Sequence, residues 1–101
     1  MERVIYKSVI EIRHDISETQ LQRVRAVAEA AFHNRAGCVK NISEDPYQLV
    51  FAGGEGEYGC LEVGMLNLKR ESDFFPFLSA WQWIGEDPDE CCDLLKLLQK
   101  L

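Results

Sequence analysis

The feature that most constrains this chain is Ser17-Glu18-Thr19-Gln20, set between Ile16 and Leu21. The Ser17 hydroxyl can accept from the backbone N–H of Gln20, the Gln20 side chain can reach back to Ser17, and Ile16 can pack on Leu21. That is a capping box with a hydrophobic staple, so a helix starts at Ser17. Its apolar stripe, Leu21, Val24, Val27, Ala28, Ala31 and Phe32, keeps helical spacing as far as Gly37, a residue suited to ending a helix. Upstream, Val4, Tyr6, Ser8, Ile10 and Ile12 fall on one side, and Arg3, Lys7, Glu11 and Arg13 on the other, which predicts a half-buried strand. The chain thus opens with a strand that runs directly into an amphipathic helix.

The remainder predicts further elements of both kinds. Cys38 to Ser43 is a short strand candidate, Glu44-Asp45-Pro46 a turn, and Tyr47, Leu49 and Phe51 resume strand alternation. Gly53-Gly54-Glu55-Gly56-Glu57 reads as a hairpin turn into a longer strand over 58–68, where Leu61, Val63 and Met65 alternate with Glu62 and Gly64. Ser72 or Asp73 then caps a short helix that contains Pro76 and stops at Gly85. Asp87-Pro88-Asp89-Glu90 signals a final helix with Cys91, Leu94, Leu95, Leu98 and Leu101 on its inner stripe. The predicted order is β-α-β-β-β-α-α. It specifies an α+β fold in which a four-stranded, mainly antiparallel sheet carries its helices on one face. A split βαβ arrangement would need one more strand after Gly85, where the sequence suggests none. With 101 residues and 47% hydrophobic content, residues 1–101 make a single domain with one core.

Charge narrows the function classes. Residues 1–43 carry seven Lys/Arg against five Asp/Glu, a net of +2, whereas residues 44–101 carry four against twelve, a net of −8. An acidic surface repels phosphate backbones and anionic lipid heads, so direct nucleic-acid or membrane binding is disfavoured and a basic protein partner is favoured. The amino end shows no apolar leader, and no apolar run approaches a membrane span, which predicts a cytoplasmic protein. In that compartment Cys38, Cys60, Cys91 and Cys92 are expected as free thiols.

Candidate chemistry is thin. His33 and Cys38 fall at the negative end of the first helix, where a thiolate is disfavoured. Cys91 and Cys92 sit among Asp87, Asp89, Glu90 and Asp93, whose charge opposes any lowering of a thiol pKa, and Cys91 is expected to face inward. No paired zinc-ligand spacing occurs, so no metal or other cofactor is expected. Gly53, Gly54 and Gly56 superficially resemble a phosphate loop, but they are expected to join two strands and they carry Glu55 and Glu57.

The strongest binding signal is the acidic run around Glu86, Asp89, Glu90 and Asp93. It lies near the aromatic segment that holds Phe75, Trp81 and Trp83. Aromatic anchors concentrate binding energy and charges steer approach. The sequence therefore favours a small, acidic, non-enzymatic protein-binding domain: a regulator or inhibitor of a basic, nucleic-acid-handling protein. A second reading is an enzyme or ligand-binding domain whose site assembles in space from Tyr6, Ser8, His14, Asp15 or Tyr58. A third is a structural component that pairs as a homodimer through an edge strand or the aromatic segment.

Overall fold

A computed structural model describes residues 5–33, 40–87 and 89–99. Strand β1 is Tyr6–Ile12, helix α1 Glu18–His33, strand β2 Gln48–Gly53, helix α2 Tyr58–Lys69, strand β3 Leu78–Ile84, strand β4 Cys91–Asp93 and helix α3 Leu94–Gln99. The sheet order is β2-β1-β3-β4, and every neighbouring pair is antiparallel. The fold is thus α+β with a four-stranded antiparallel sheet. No described helix is long and apolar enough to cross a membrane.

Period-two alternation in β1 sends Ser8, Ile10 and Ile12 inward, where the register sets Ile10 between Leu49 and Trp81, and Ser8 between Phe51 and Trp83. Leu21, Val24, Ala28 and Phe32 of α1, Leu61 and Leu68 of α2 and Leu95 of α3 close on that same face in one core. Lys7, Val9 and Glu11 project to the opposite face, where Lys7 is exposed and the other two are half-buried. A register shift between Glu11 and Ile12 pairs Ile12 with Leu78, which returns Leu78 to the core while Ser79 faces solvent. The capping box forms as written: Gln20 N–H donates to Ser17 Oγ at 3.1 Å, and Ser17 N–H donates to Gln20 Oε1 at 3.1 Å.

Three spans differ from expectation. The segment 58–68, expected as a strand, is α2. Leu61, Gly64 and Leu68 are its buried positions, at helical spacing, and the apparent alternation of Leu61, Val63 and Met65 breaks because Val63 is exposed. Gly64 decides the matter physically: the Phe32 ring occupies the volume that a Cβ at Gly64 would fill, so α1 and α2 approach closely only at a residue without a side chain. Gly53 to Glu57 consequently leads a strand into a helix, not into a second strand, through a 3-10 turn over Glu55–Glu57.

The second correction concerns 72–85, expected as a helix. It is helical only as a 3-10 turn over Ser72–Phe77 that contains Pro76, and it then becomes β3. Trp81 and Trp83 face in while Gln82 and Ile84 face out, and that alternation of β-favouring side chains prevails over the short helical signal. The third is at 88–100, where, among the described residues, Cys91–Asp93 pair with β3 and Leu94–Gln99 is the helical part. Asp93, not Asp87, caps α3, since Lys96 N–H donates to Asp93 Oδ1 at 3.0 Å. The order β-α-β-β-β-α-α is therefore replaced by β-α-β-α-β-β-α, and every strand pair among the described residues is antiparallel. Of the 38–43 strand candidate, Cys38 and Val39 lie outside the described residues, as do Gly37, Pro88 and Leu101; Asn41 makes an isolated bridge to Phe51.

The cysteines also differ from expectation. Cys60 in α2 is disulfide-bonded, whereas Cys91 and Cys92 are free. Because β4 is a strand, Cys91 is exposed and Cys92 half-buried, the reverse of the helical expectation.

Two predictions follow from the packing. Gly64→Ala must displace the Phe32 ring and should destabilise the protein by roughly 1–3 kcal/mol. Gly59→Ala, where an added Cβ meets nothing within 4 Å, should be neutral or stabilise by about 0.5 kcal/mol through helix propensity. Urea titrations of the two variants should move in opposite directions or leave Gly59→Ala unchanged. For the disulfide, reductant should lower stability by roughly 2–4 kcal/mol; coincident melting curves with and without reductant would show that it contributes nothing.

Candidate functional site

The most distinctive surface lies where β1 begins and β3 ends. Antiparallel pairing brings Tyr6 opposite Gly53, and Ser8 opposite Trp83. Tyr6 and Trp83 therefore project from the same inward face as neighbours along the sheet. Their rings stack at 5.7 Å between centroids with 12° between planes. Tyr58, the first residue of α2, stands edge-on to both, 5.0 Å from Tyr6 and 5.9 Å from Trp83. Tyr58 remains 43% exposed, so the cluster reaches the surface instead of closing into the core.

Carboxylates approach this cluster from two connections. Glu55 comes from the short turn between β2 and α2, and Glu86 and Glu90 come from the turn between β3 and β4. That second turn is closed by Gly85 N–H donating to Glu90 O at 2.6 Å and by Glu90 N–H donating to Asp87 O at 2.9 Å. The Glu90 side chain folds over Gly85, where a Cβ would collide with it, which keeps this carboxylate near the sheet. The Tyr6 phenol feels the arrangement: its pKa is held above the ordinary tyrosine value, first by burial and then by the negative fields of Glu86, Glu90 and Glu55, with a further contribution from Tyr58. The ion pairs among the described residues are Arg13–Asp15 and Arg25–Glu29, and neither involves these carboxylates.

The structure divides the residues singled out in the sequence. Glu86, Glu90 and Trp83 come together at the aromatic cluster, and Asp89 is exposed in the same turn. Asp93 is half-buried and engaged as the α3 cap. Trp81 is 1% exposed and cannot be a surface anchor; its indole N–H donates to the fully buried Ser8 Oγ at 2.9 Å. Phe75 packs against the core with its ring 6.2 Å from Trp81, and its 3-10 turn lies towards the far end of β1, where Arg13 N–H donates to Phe77 O. Tyr6 and Tyr58, which the sequence suggests only as parts of a spatially assembled pocket, belong to the acidic cluster. Glu55 reads in sequence as a turn residue. Its signal was its position at the end of a strand that must return beside Tyr6, which becomes visible only with the register.

Of the residues suggested for an assembled pocket, Tyr6 and Tyr58 meet, but Ser8, His14 and Asp15 do not join them. Ser8 is taken up by Trp81, while His14 stacks on Tyr47 at 4.3 Å near the opposite end of β1. Asp15 is ion-paired with Arg13, whose side-chain hydrogen bonds hold the Asp15 carboxyl below its ordinary pKa; the pair is exposed and contributes little to stability. The Gly53–Glu57 connection has the strand-to-helix form of a phosphate loop, yet Glu55 and Glu57 place negative charge where phosphate would sit. Among the described residues, no three His, Cys, Asp or Glu side chains gather closely enough to hold a metal ion. Compared with known proteins, the chain matches no family model, no curated protein and no solved structure.

The electrostatics give a direct check. A raised folded-state pKa means that the folded protein retains the Tyr6 proton longer than the unfolded chain does. The associated stability is complete below the unfolded value near 10, and is lost as pH rises through the folded value. Glu86→Gln with Glu90→Gln should lower the titration midpoint of the Tyr6 ring carbon in an NMR series. Burial, the largest cause, should still keep that midpoint above that of a tyrosine in a short peptide. An unchanged midpoint would mean that the two carboxylates do not face Tyr6.

Proposed function

We propose that this protein is a small, acidic, non-enzymatic binding domain that regulates or inhibits a basic protein by presenting the Tyr6, Tyr58 and Trp83 cluster with Glu55, Glu86, Asp89 and Glu90. The observation that carries this reading is the convergence of aromatic rings and carboxylates from separate parts of the chain on one surface, with none of those carboxylates in an ion pair among the described residues. Aromatic side chains supply rigid contact area at low entropic cost, and unpaired carboxylates steer a cationic partner into register. A nucleic-acid-handling protein is the partner class whose phosphate-binding groove such a surface would suit, since its negative charge substitutes for phosphate. The cytoplasmic location expected from the sequence requires the Cys60 disulfide to persist in a reducing environment, which disulfides rarely do. The reductant experiment above bears on that point.

The test begins with affinity capture from native extract at low salt and continues with association kinetics on the purified partner. Glu86→Gln, Asp89→Asn and Glu90→Gln are combined, and Asp93 is left intact because it caps α3. The folded triple variant should associate roughly 3–10-fold more slowly than the parent at low salt, and its rate should respond less steeply to added salt. An unchanged rate with an unchanged salt dependence would overturn the acidic-interface reading.

A further inference from the structure

Within this proposed interface, the geometry points to the Tyr6–Tyr58–Trp83 cluster with Glu55, Glu86 and Glu90 as the seat for one arginine side chain of the basic partner. This inference rests on the binding function proposed above and adds the chemistry of its central contact.

Three observations select that occupant. First, the rings are arranged in two orientations: Tyr6 and Trp83 lie within 12° of parallel, and Tyr58 stands at 73° and 83° to them. A cation that enters beside Tyr58 meets π-electron density along with ring edges, and Trp offers the strongest cation–π face of any side chain. Second, the carboxylates come from two different turns, Glu55 from the one after β2 and Glu86 and Glu90 from the one after β3, and no three of them gather as a chelate would require. Spaced acceptors suit an extended cation with several divergent N–H donors better than a compact ion. Third, Tyr6 and Trp83 are half-buried and packed against the core, which leaves the inner side of the cluster partly shielded from water, where a weakly hydrated cation loses least on entry. Guanidinium is planar, weakly hydrated, able to stack on an aromatic face and able to donate in several directions at once. The lysine ammonium matches the charge but is strongly hydrated and has no plane with which to stack.

The experiment uses the full chain and three probes: a short lysine-rich peptide with a single central arginine, the all-lysine peptide of equal length and charge, and tetramethylammonium chloride. The reporters are the Trp83 indole N–H and the Tyr58 ring signals in NMR, with the Trp81 indole, buried against Ser8, as an internal control for an intact fold. The arginine peptide should shift Trp83 and Tyr58, leave Trp81 in place, and bind roughly three- to fivefold tighter than the all-lysine peptide. Tyr58→Leu, which keeps apolar bulk at an exposed position, should reduce the two peptides to equal affinity. If both peptides bind equally to the parent and Tyr58→Leu changes neither, the arginine seat is wrong. The acidic-interface reading then survives, provided the Glu86, Asp89 and Glu90 variant still weakens association with the captured partner. Tighter binding of tetramethylammonium than of the arginine peptide would overturn the inference in favour of a small cationic ligand. Shifts confined to residues away from Trp83 and Tyr58 would overturn it as well.

Discussion

Phe32 is the contact on which the rest of the arrangement depends. Its ring is fully buried, stacks on Phe51 of β2 at 4.2 Å with 8° between planes, and fills the space left by the absent side chain of Gly64. One side chain of α1 thereby fixes the distance between sheet and helix and the close crossing of the two longer helices. Asn67 reinforces that crossing by donating its side-chain amide to Ala31 O at 3.1 Å. Interiors pack to crystal-like density, so a ring lodged between a strand and a glycine leaves little freedom for either neighbour. The position of α2 follows, and Tyr58 at its amino end is delivered to the edge of Tyr6 and Trp83.

The sheet separates two chemically different ends. Where β1 finishes, Arg13 spans Asp15 and the Pro76 carbonyl, and His14 lies on Tyr47, so that charge and aromatic surface are largely satisfied internally. Where β1 begins, the aromatic cluster carries negative charge without an ion-pair partner among the described residues. Those carboxylates, Glu55, Glu86 and Glu90, are exposed, so water and salt screen their mutual repulsion. The two ends of the sheet thus differ in how their charge is partnered, a difference that the overall charge of −6 does not show.

Local signals carried the first half of the fold. The alternation in β1, the reciprocal hydrogen bonds of Ser17 and Gln20, and the stripe from Leu21 to Phe32 are all short-range patterns, and the structure contains each of them. The second half was harder to read because its patterns are ambiguous at short range. Leu61, Val63 and Met65 fit a period of two, while Leu61, Gly64 and Leu68 fit a helix, and only the Phe32 ring distinguishes them. Trp81-Gln82-Trp83-Ile84 carried a genuine strand alternation that the preceding Pro76 segment obscured. Asp87-Pro88 resembled a helix start, but pairing with β3 takes up Cys91 to Asp93 before the helix can begin. Half of the acidic-aromatic site was similarly visible in sequence: Glu86, Glu90 and Trp83 are close along the chain, and a net of −8 beyond residue 43 flagged their region.

By itself, the sequence determined an α+β core, the existence of the first strand and helix with the capped start of that helix, and an acidic second half. These depend on hydrogen bonds, periodicities and charges spanning a few residues, or on composition alone. Only the tertiary structure decided which segments complete the sheet, that Trp81 is interior while Trp83 reaches the site, and that Tyr6 and Tyr58 share a surface with Glu55. The physical reason is register: antiparallel pairing of β1 with both β2 and β3 juxtaposes residues 37 to 77 positions apart, and the packing of Phe32 against Gly64 then sets which helix end meets them. No local preference encodes either distance.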